Sequence, residues 1–211
     1  MTSLFGLDLQ YKLIKKKIAS EIIKCTDSQN FILGKNVTNF EKNITSHFNS
    51  KYFVSCASGT EALFLALIAS NKVKPGDAII VPSFTFASTA EIVTWFGCIP
   101  IFADVSEKTF NITYSSIYDT FSKFNQKYNI KAVISVDIFG NPCDYKEISK
   151  FCSENKLLFI SDGAQSLGSK IGNNYTCNLV DFYCTSFFPT KPLGCYGDGG
   201  GIFVKSKKIF D

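Results

Sequence analysis

Apolar positions repeat along this chain with two periods, and the two alternate for most of its length. Leu9, Leu13, Ile14, Ile18 and Ile22 share one stripe with lysines opposite, which predicts an amphipathic helix over 7–25. Val37, Phe40, Ile44 and Phe48 predict a second over 37–48. The short apolar loop between them, 30–36, pivots on Gly34 and reads as a helix end and turn. Short apolar runs then predict strands at 51–55, 78–81, 99–102, 131–136, 157–161, 181–185 and 201–204. Helical spacing separates the first five runs, at 62–69, 90–96, 115–128 and 144–155, and a glycine-containing turn region precedes the sixth.

The run 131–136 is nearly continuous in β-branched residues rather than alternating, as in a parallel sheet covered on both faces. The alternation of strand runs with helices predicts a three-layer α/β domain. The last strand is expected to be antiparallel, because the glycine-rich connection after Ser186 has no room for a crossover helix. In such folds ligands bind where strands end at their carboxyl edge.

Four segments placed there carry candidate chemistry. Lys191 lies between Pro189 and Pro192, which deny it a regular helix, and a glycine-rich loop follows. A lysine amine so held can attack a carbonyl, although any single lysine in this lysine-rich chain, taken alone, reads more readily as a solvated loop residue. Ser58-Gly59-Thr60 joins a strand to a helix. Small residues there let helix-opening N–H groups approach an anion, and the same residues serve equally as an ordinary N-cap. Phe86 sits in a Ser/Thr/Phe run after the second strand, and Asp162 ends the fifth. Taken alone, Phe86 also reads as core, Asp162 as a cap and Ser186 as a strand-end hydroxyl. Together they supply an anion cradle, a stacking face, a carboxylate for a ring nitrogen and an amine for an aldehyde. Those are the parts of a pyridoxal phosphate site.

Composition removes other classes. The 211 residues allow one sizeable core, and the net charge of +4 is mild. Every basic residue is Lys, which argues against a reader of base edges. The 8 Cys form no C-x-x-C pair and the single His47, read as a helix C-terminal residue, has no ligand spacing to them, so no metal is expected. No signal-like or membrane-spanning run is present, and a cytoplasmic protein with reduced thiols is expected.

The runs PSFTFAST, SDGAQSLGS and above all SFFPTKPLGCYGDGGG resemble the sugar aminotransferases of the DegT/DnrJ/EryC1/StrS family, with LDLQY, FILG and ASGTEAL in the same order. The resemblance implies the large domain of the fold type I pyridoxal-phosphate enzymes over 1–211, including an N-terminal helical segment over about 1–50. Its core is a mostly parallel seven-stranded sheet with one antiparallel strand. Lys191 matches the lysine that bonds the cofactor, and Asp162 the carboxylate at its pyridine nitrogen. Gln165 matches a residue at its phenolic oxygen, and Phe86 the aromatic on its ring. Gly59, Thr60 and Ser186 match its phosphate cradle. The implied reaction moves an amino group from an amino acid, glutamate, to a keto group of a nucleotide-linked sugar in amino-sugar or surface-polysaccharide biosynthesis; the form of the lysine motif most resembles members acting at C3, and similar members act at C4. Some members carry His in place of Lys191 and dehydrate sugars, so that chemistry is the weaker alternative. Family members are longer, and the resemblance implies a C-terminal small domain and a homodimer in the full-length form. The stop at Asp211 leaves a truncated, inactive remnant or a partner-binding module as the other alternative.

Overall fold

The computed structural model describes residues 5–210; Asp211, where the sequence stops, lies outside them. The chain divides into two compact units between Asn43 and Ile44. In the first, α1 (Leu7–Ser28) ends on Gln29 in a left-handed conformation, and α2 (Lys35–His47) begins after the loop of Gly34. No residue of α1 is buried, and Leu9, Leu13 and Ile22 of the expected stripe are exposed. Spacing tells which side chains share a helix face, whereas burial needs a surface against that face.

The second unit is built on a seven-stranded sheet. Its strands are β1 (Tyr52–Cys56), β2 (Ala78–Pro82), β3 (Ile99–Ala103), β4 (Ile130–Val136), β5 (Leu158–Asp162), β8 (Phe182–Ser186) and β9 (Gly200–Val204). They lie in the order β1-β9-β8-β5-β4-β2-β3. Neighbours from β8 through β3 run parallel, and β9 is antiparallel to both β8 and β1. The antiparallel last strand is the one expected from its short connection. A two-stranded hairpin, β6 (Lys170–Ile171) and β7 (Asn174–Tyr175), fills the turn region before β8.

Every residue of β2, β5 and β9 is buried, which explains the unbroken apolar run of β2; β5 ends on two buried polar residues, Ser161 and Asp162. On one face, Ile79, Val81, Ile134, Ile160 and Phe182 pack with Leu63 and Leu67 of α3 (Gly59–Ala69) and with Ile92 and Val93 of α4 (Ser88–Trp95). Each such side chain contributes about 1.5–3 kcal/mol by leaving water. The other face carries α5 (Tyr114–Phe124) and α6 (Tyr145–Glu154), whose Tyr145 ring lies 5.8 Å from that of Phe159.

Strand alternation then sorts the site. Asp162 has the parity of Ile160, and Ser186 that of Phe182 and Cys184, so both side chains fall on the α3/α4 face. Ser161 and Tyr183 fall on the other. The pairing of Val136 with Asp162, and of both Cys56 and Ser186 with Gly200, aligns the carboxyl ends of β1, β4, β5 and β8 at one edge.

Candidate active site

At that edge lies a cleft of about 490 Å³ with mostly apolar walls. Gly59, Thr60, Phe86, Asp162, Gln165, Ser186 and Lys191 all line it. Segments far apart in sequence are thus brought to one place, as the sequence predicts.

Asp162 forms the floor. It ends β5, is only 7% exposed, and is not a helix cap. Its Oδ2 accepts from the hydroxyl of Thr89 at 3.1 Å, and its Oδ1 from the Ala164 N–H at 3.2 Å. The Thr89 hydroxyl also meets that of Thr85 at 2.9 Å. Burial pushes the Asp162 carboxyl above its ordinary range, against the pull of the Ala164 N–H, the Thr89 hydroxyl and the charge of Lys191. Among the described residues no ion pair neutralises it.

One wall is the start of α3. Ser58 is its N-cap and accepts from the Glu61 N–H at 3.1 Å, so the capping reading holds for this serine. The opening amides of a helix have no intrahelical acceptor, and those of Gly59 and Thr60 belong to this first turn. Gly59 is there because of space: a Cβ on it would stand 2.8 Å from the Cβ of Ser186. The Ser186 hydroxyl accepts from the Phe188 N–H at 3.2 Å, where the chain turns into the lysine loop.

That loop folds back on itself. The Phe187 N–H donates to the Gly199 carbonyl at 2.8 Å, and the Cys195 N–H to the Phe187 carbonyl at 2.7 Å. Lys191 sits within it, its own N–H donating to the Phe188 carbonyl at 2.8 Å, and its side chain is half-buried. Phe86 is 70% exposed, which excludes the core reading for this ring.

The sequence passed over Asp137, which also lines the cleft and is wholly buried just past the end of β4. Its carboxylate accepts from the Cys143 N–H at 2.9 Å, the Tyr145 hydroxyl at 2.7 Å and the Ser166 hydroxyl at 2.6 Å. Burial pushes this carboxyl up, and the donors hold it down. Burial likewise raises the thiols of Cys143 and Cys184, so neither is poised as a nucleophile. Among the described residues no cluster of His, Cys, Asp and Glu could hold a metal ion, and no helix is long and apolar enough to cross a membrane.

The model of the DegT/DnrJ/EryC1/StrS aminotransferase family matches residues 12–211. The chain is 36% identical over 209 residues to the UDP-2-acetamido-2-deoxy-3-oxo-D-glucuronate aminotransferase of Pseudomonas aeruginosa, covering 99% of this chain and 56% of that protein. It is 37% identical over 196 residues to the UDP-N-acetyl-3-dehydro-alpha-D-glucosamine 3-aminotransferase of Acidithiobacillus ferrooxidans, covering 93% and 52%. Among solved structures, a DegT DnrJ EryC1 StrS aminotransferase from Brucella abortus superposes with a TM-score of 0.95 at 34% identity, over 100% of this chain and 57% of that one. NtdA from Bacillus subtilis, solved with bound cofactor PMP, superposes with a TM-score of 0.84 at 26% identity, over 92% and 42%. The chain spans about half the length of the curated relatives it matches.

Proposed function

The chain belongs to the DegT/DnrJ/EryC1/StrS aminotransferase family, and on that premise we propose that it binds pyridoxal phosphate in the cleft and serves a sugar aminotransferase. The reaction moves an amino group from an amino acid, glutamate, to a keto group at C3 of a nucleotide-linked sugar. The names of the two similar curated aminotransferases, each with a 3-oxo or 3-dehydro sugar, support the position. The product serves amino-sugar or surface-polysaccharide synthesis in the cytoplasm, and the working form is a homodimer.

The observation that carries this reading is the convergence of Lys191, Asp162 and the first turn of α3 on one cleft. The donor set fits the cofactor. A buried carboxylate with no ion-pair partner among the described residues suits a protonated ring nitrogen, since an opposite charge nearby stabilises both. Glycine at position 59, where a Cβ would collide with Ser186, keeps a helix start close to a strand-end hydroxyl, as a phosphate requires. The exposed ring of Phe86 is free to cover an aromatic face.

When bound, pyridoxal phosphate carries the amino group and draws off the charge that develops on a carbon losing its proton. Lys191 would hold it through Nζ, and the same amine would move a proton to and from the reacting carbon. Asp162 keeps the ring nitrogen protonated, and Thr89 and the Ala164 N–H keep that carboxylate in place. Gln165, which lines the same cleft, would help hold the cofactor ring. The Gly59 and Thr60 amides with the Thr60 and Ser186 hydroxyls bind the phosphate.

The test is to incubate the protein with pyridoxal phosphate, glutamate and a UDP-linked 3-keto sugar and to follow the sugar by mass spectrometry. An aminated sugar is expected in step with 2-oxoglutarate. Loss of water from the sugar instead of amination would overturn the assignment.

A further inference from the structure

The carboxylate of Asp137 sits where two loops of the cleft edge are zipped together. Its N–H donates to the Asp162 carbonyl at 3.2 Å, and the Ser169 hydroxyl to the Gly140 carbonyl at 3.0 Å. Between them the chain makes a tight turn, with the Ser166 N–H on the Gly163 carbonyl at 3.0 Å. Gln165 stands inside that turn and Asp162 at its entry.

The hydrogens around Asp137 have one consistent arrangement. An ionised carboxylate only accepts, so Tyr145 and Ser166 each direct their single hydroxyl hydrogen at it. Each then accepts from a further hydroxyl: Tyr145 from Ser161 at 2.6 Å, and Ser166 from Tyr183 at 2.9 Å. The single hydrogen of the Tyr183 hydroxyl is shared between Ser166 and, at 3.3 Å, the Gly163 carbonyl at the other end of the turn. Tyr145 and Tyr183 are almost fully buried, so no water competes for these bonds.

We propose that Asp137 is a positioning residue of the cleft: through Ser166 and Tyr183 its carboxylate fixes the turn 163–166, and with it the side chains of Asp162 and Gln165. The neighbouring strands do not need this link, since β4 and β5 are joined by their own backbone ladder. An asparagine at 137 keeps the shape and loses the charge. Its amide group donates where the carboxylate accepted, so the hydrogen of Ser166 or Tyr145 has to turn away and the chain of hydroxyls loses its direction. The inference rests on the cofactor reading only for the purpose of the turn, and the test separates the two.

The full chain is compared with Asp137→Asn, Ser166→Ala and the double variant. Amide hydrogen exchange is measured without cofactor, and affinity for pyridoxal phosphate by absorption titration. In Asp137→Asn, exchange across 163–169 should rise about tenfold or more while 78–82 in β2 stays as in wild type, because only the local opening is eased. Affinity for pyridoxal phosphate should fall about tenfold, since a site held by a loosened segment binds less well. Ser166→Ala should act in the same way, and the double variant should add little to either single change. Exchange in 163–169 within about twofold of wild type, or a rise spread evenly over the chain, would overturn the proposal. If Asp137→Asn does not fold, the same two results in Ser166→Ala decide. If the wild type takes up no cofactor while 163–169 responds as expected, positioning stands and the cofactor reading fails.

Discussion

A Cβ on Gly59 would stand 2.8 Å from the Cβ of Ser186 and 3.3 Å from its Cα, so the first turn of α3 and the end of β8 are in direct contact. Gly59→Ala must push them apart. The expected cost is about 1–3 kcal/mol of stability, as for other overpacked sites. Affinity for inorganic phosphate and for pyridoxal phosphate should fall together, whereas pyridoxal without its phosphate should bind as to wild type. Equal loss for both forms of the cofactor would mean that this contact has no part in a phosphate cradle.

Gly163 carries a harsher constraint. A Cβ there would lie 2.0 Å from Cζ of Tyr183, a ring with no exposure and a hydroxyl bonded to Ser166. The ring has no room to retreat, and moving it breaks the hydroxyl chain to Asp137. Gly163→Ala should cost about 3 kcal/mol or more, above the usual range for small-to-large changes. Urea unfolding measures it, and an unchanged midpoint would show that Tyr183 can repack.

Asp162 gives a pH dependence with a definite sign. Its folded value is raised above the ordinary 3.8, mainly by burial. Below 3.8 the group is protonated whether folded or not; as pH rises through the folded value, a buried charge must form and its share of stability is lost. Without cofactor, Asp162→Asn should therefore gain stability relative to wild type as pH is raised from about 4 to about 8. Pyridoxal phosphate should shrink that gain, because a protonated ring nitrogen favours the ionised carboxylate. Urea midpoints of both proteins along a pH series supply the comparison, and a difference that moves the opposite way would contradict the environment described for Asp162.

Much of this was legible beforehand, for reasons that differ by residue. The strands were readable because a sheet covered on both faces leaves runs such as Ala78–Pro82 without a polar position. That the candidate residues would meet at one cleft was readable because each follows a strand. Asp137 was not, since its burial and its donors come from Tyr145, Ser166 and Cys143, which only the fold assembles. The hairpin of β6 and β7 had a signal in Gly172-Asn173, with Gly172 in the left-handed region, but two strands of two residues leave no hydrophobic period to find. The stripe on α1 was readable as spacing, and its exposure was not.

The central claim is that Lys191 bonds pyridoxal phosphate above Asp162. The direct measurement is an absorption spectrum of the protein with added pyridoxal phosphate, followed by borohydride reduction and peptide mapping. The predicted result is a visible band that borohydride removes, a single labelled peptide with the label on Lys191, and loss of both band and label in a folded Lys191→Ala variant. A folded protein that takes up no cofactor, or a label on any other lysine, would contradict it.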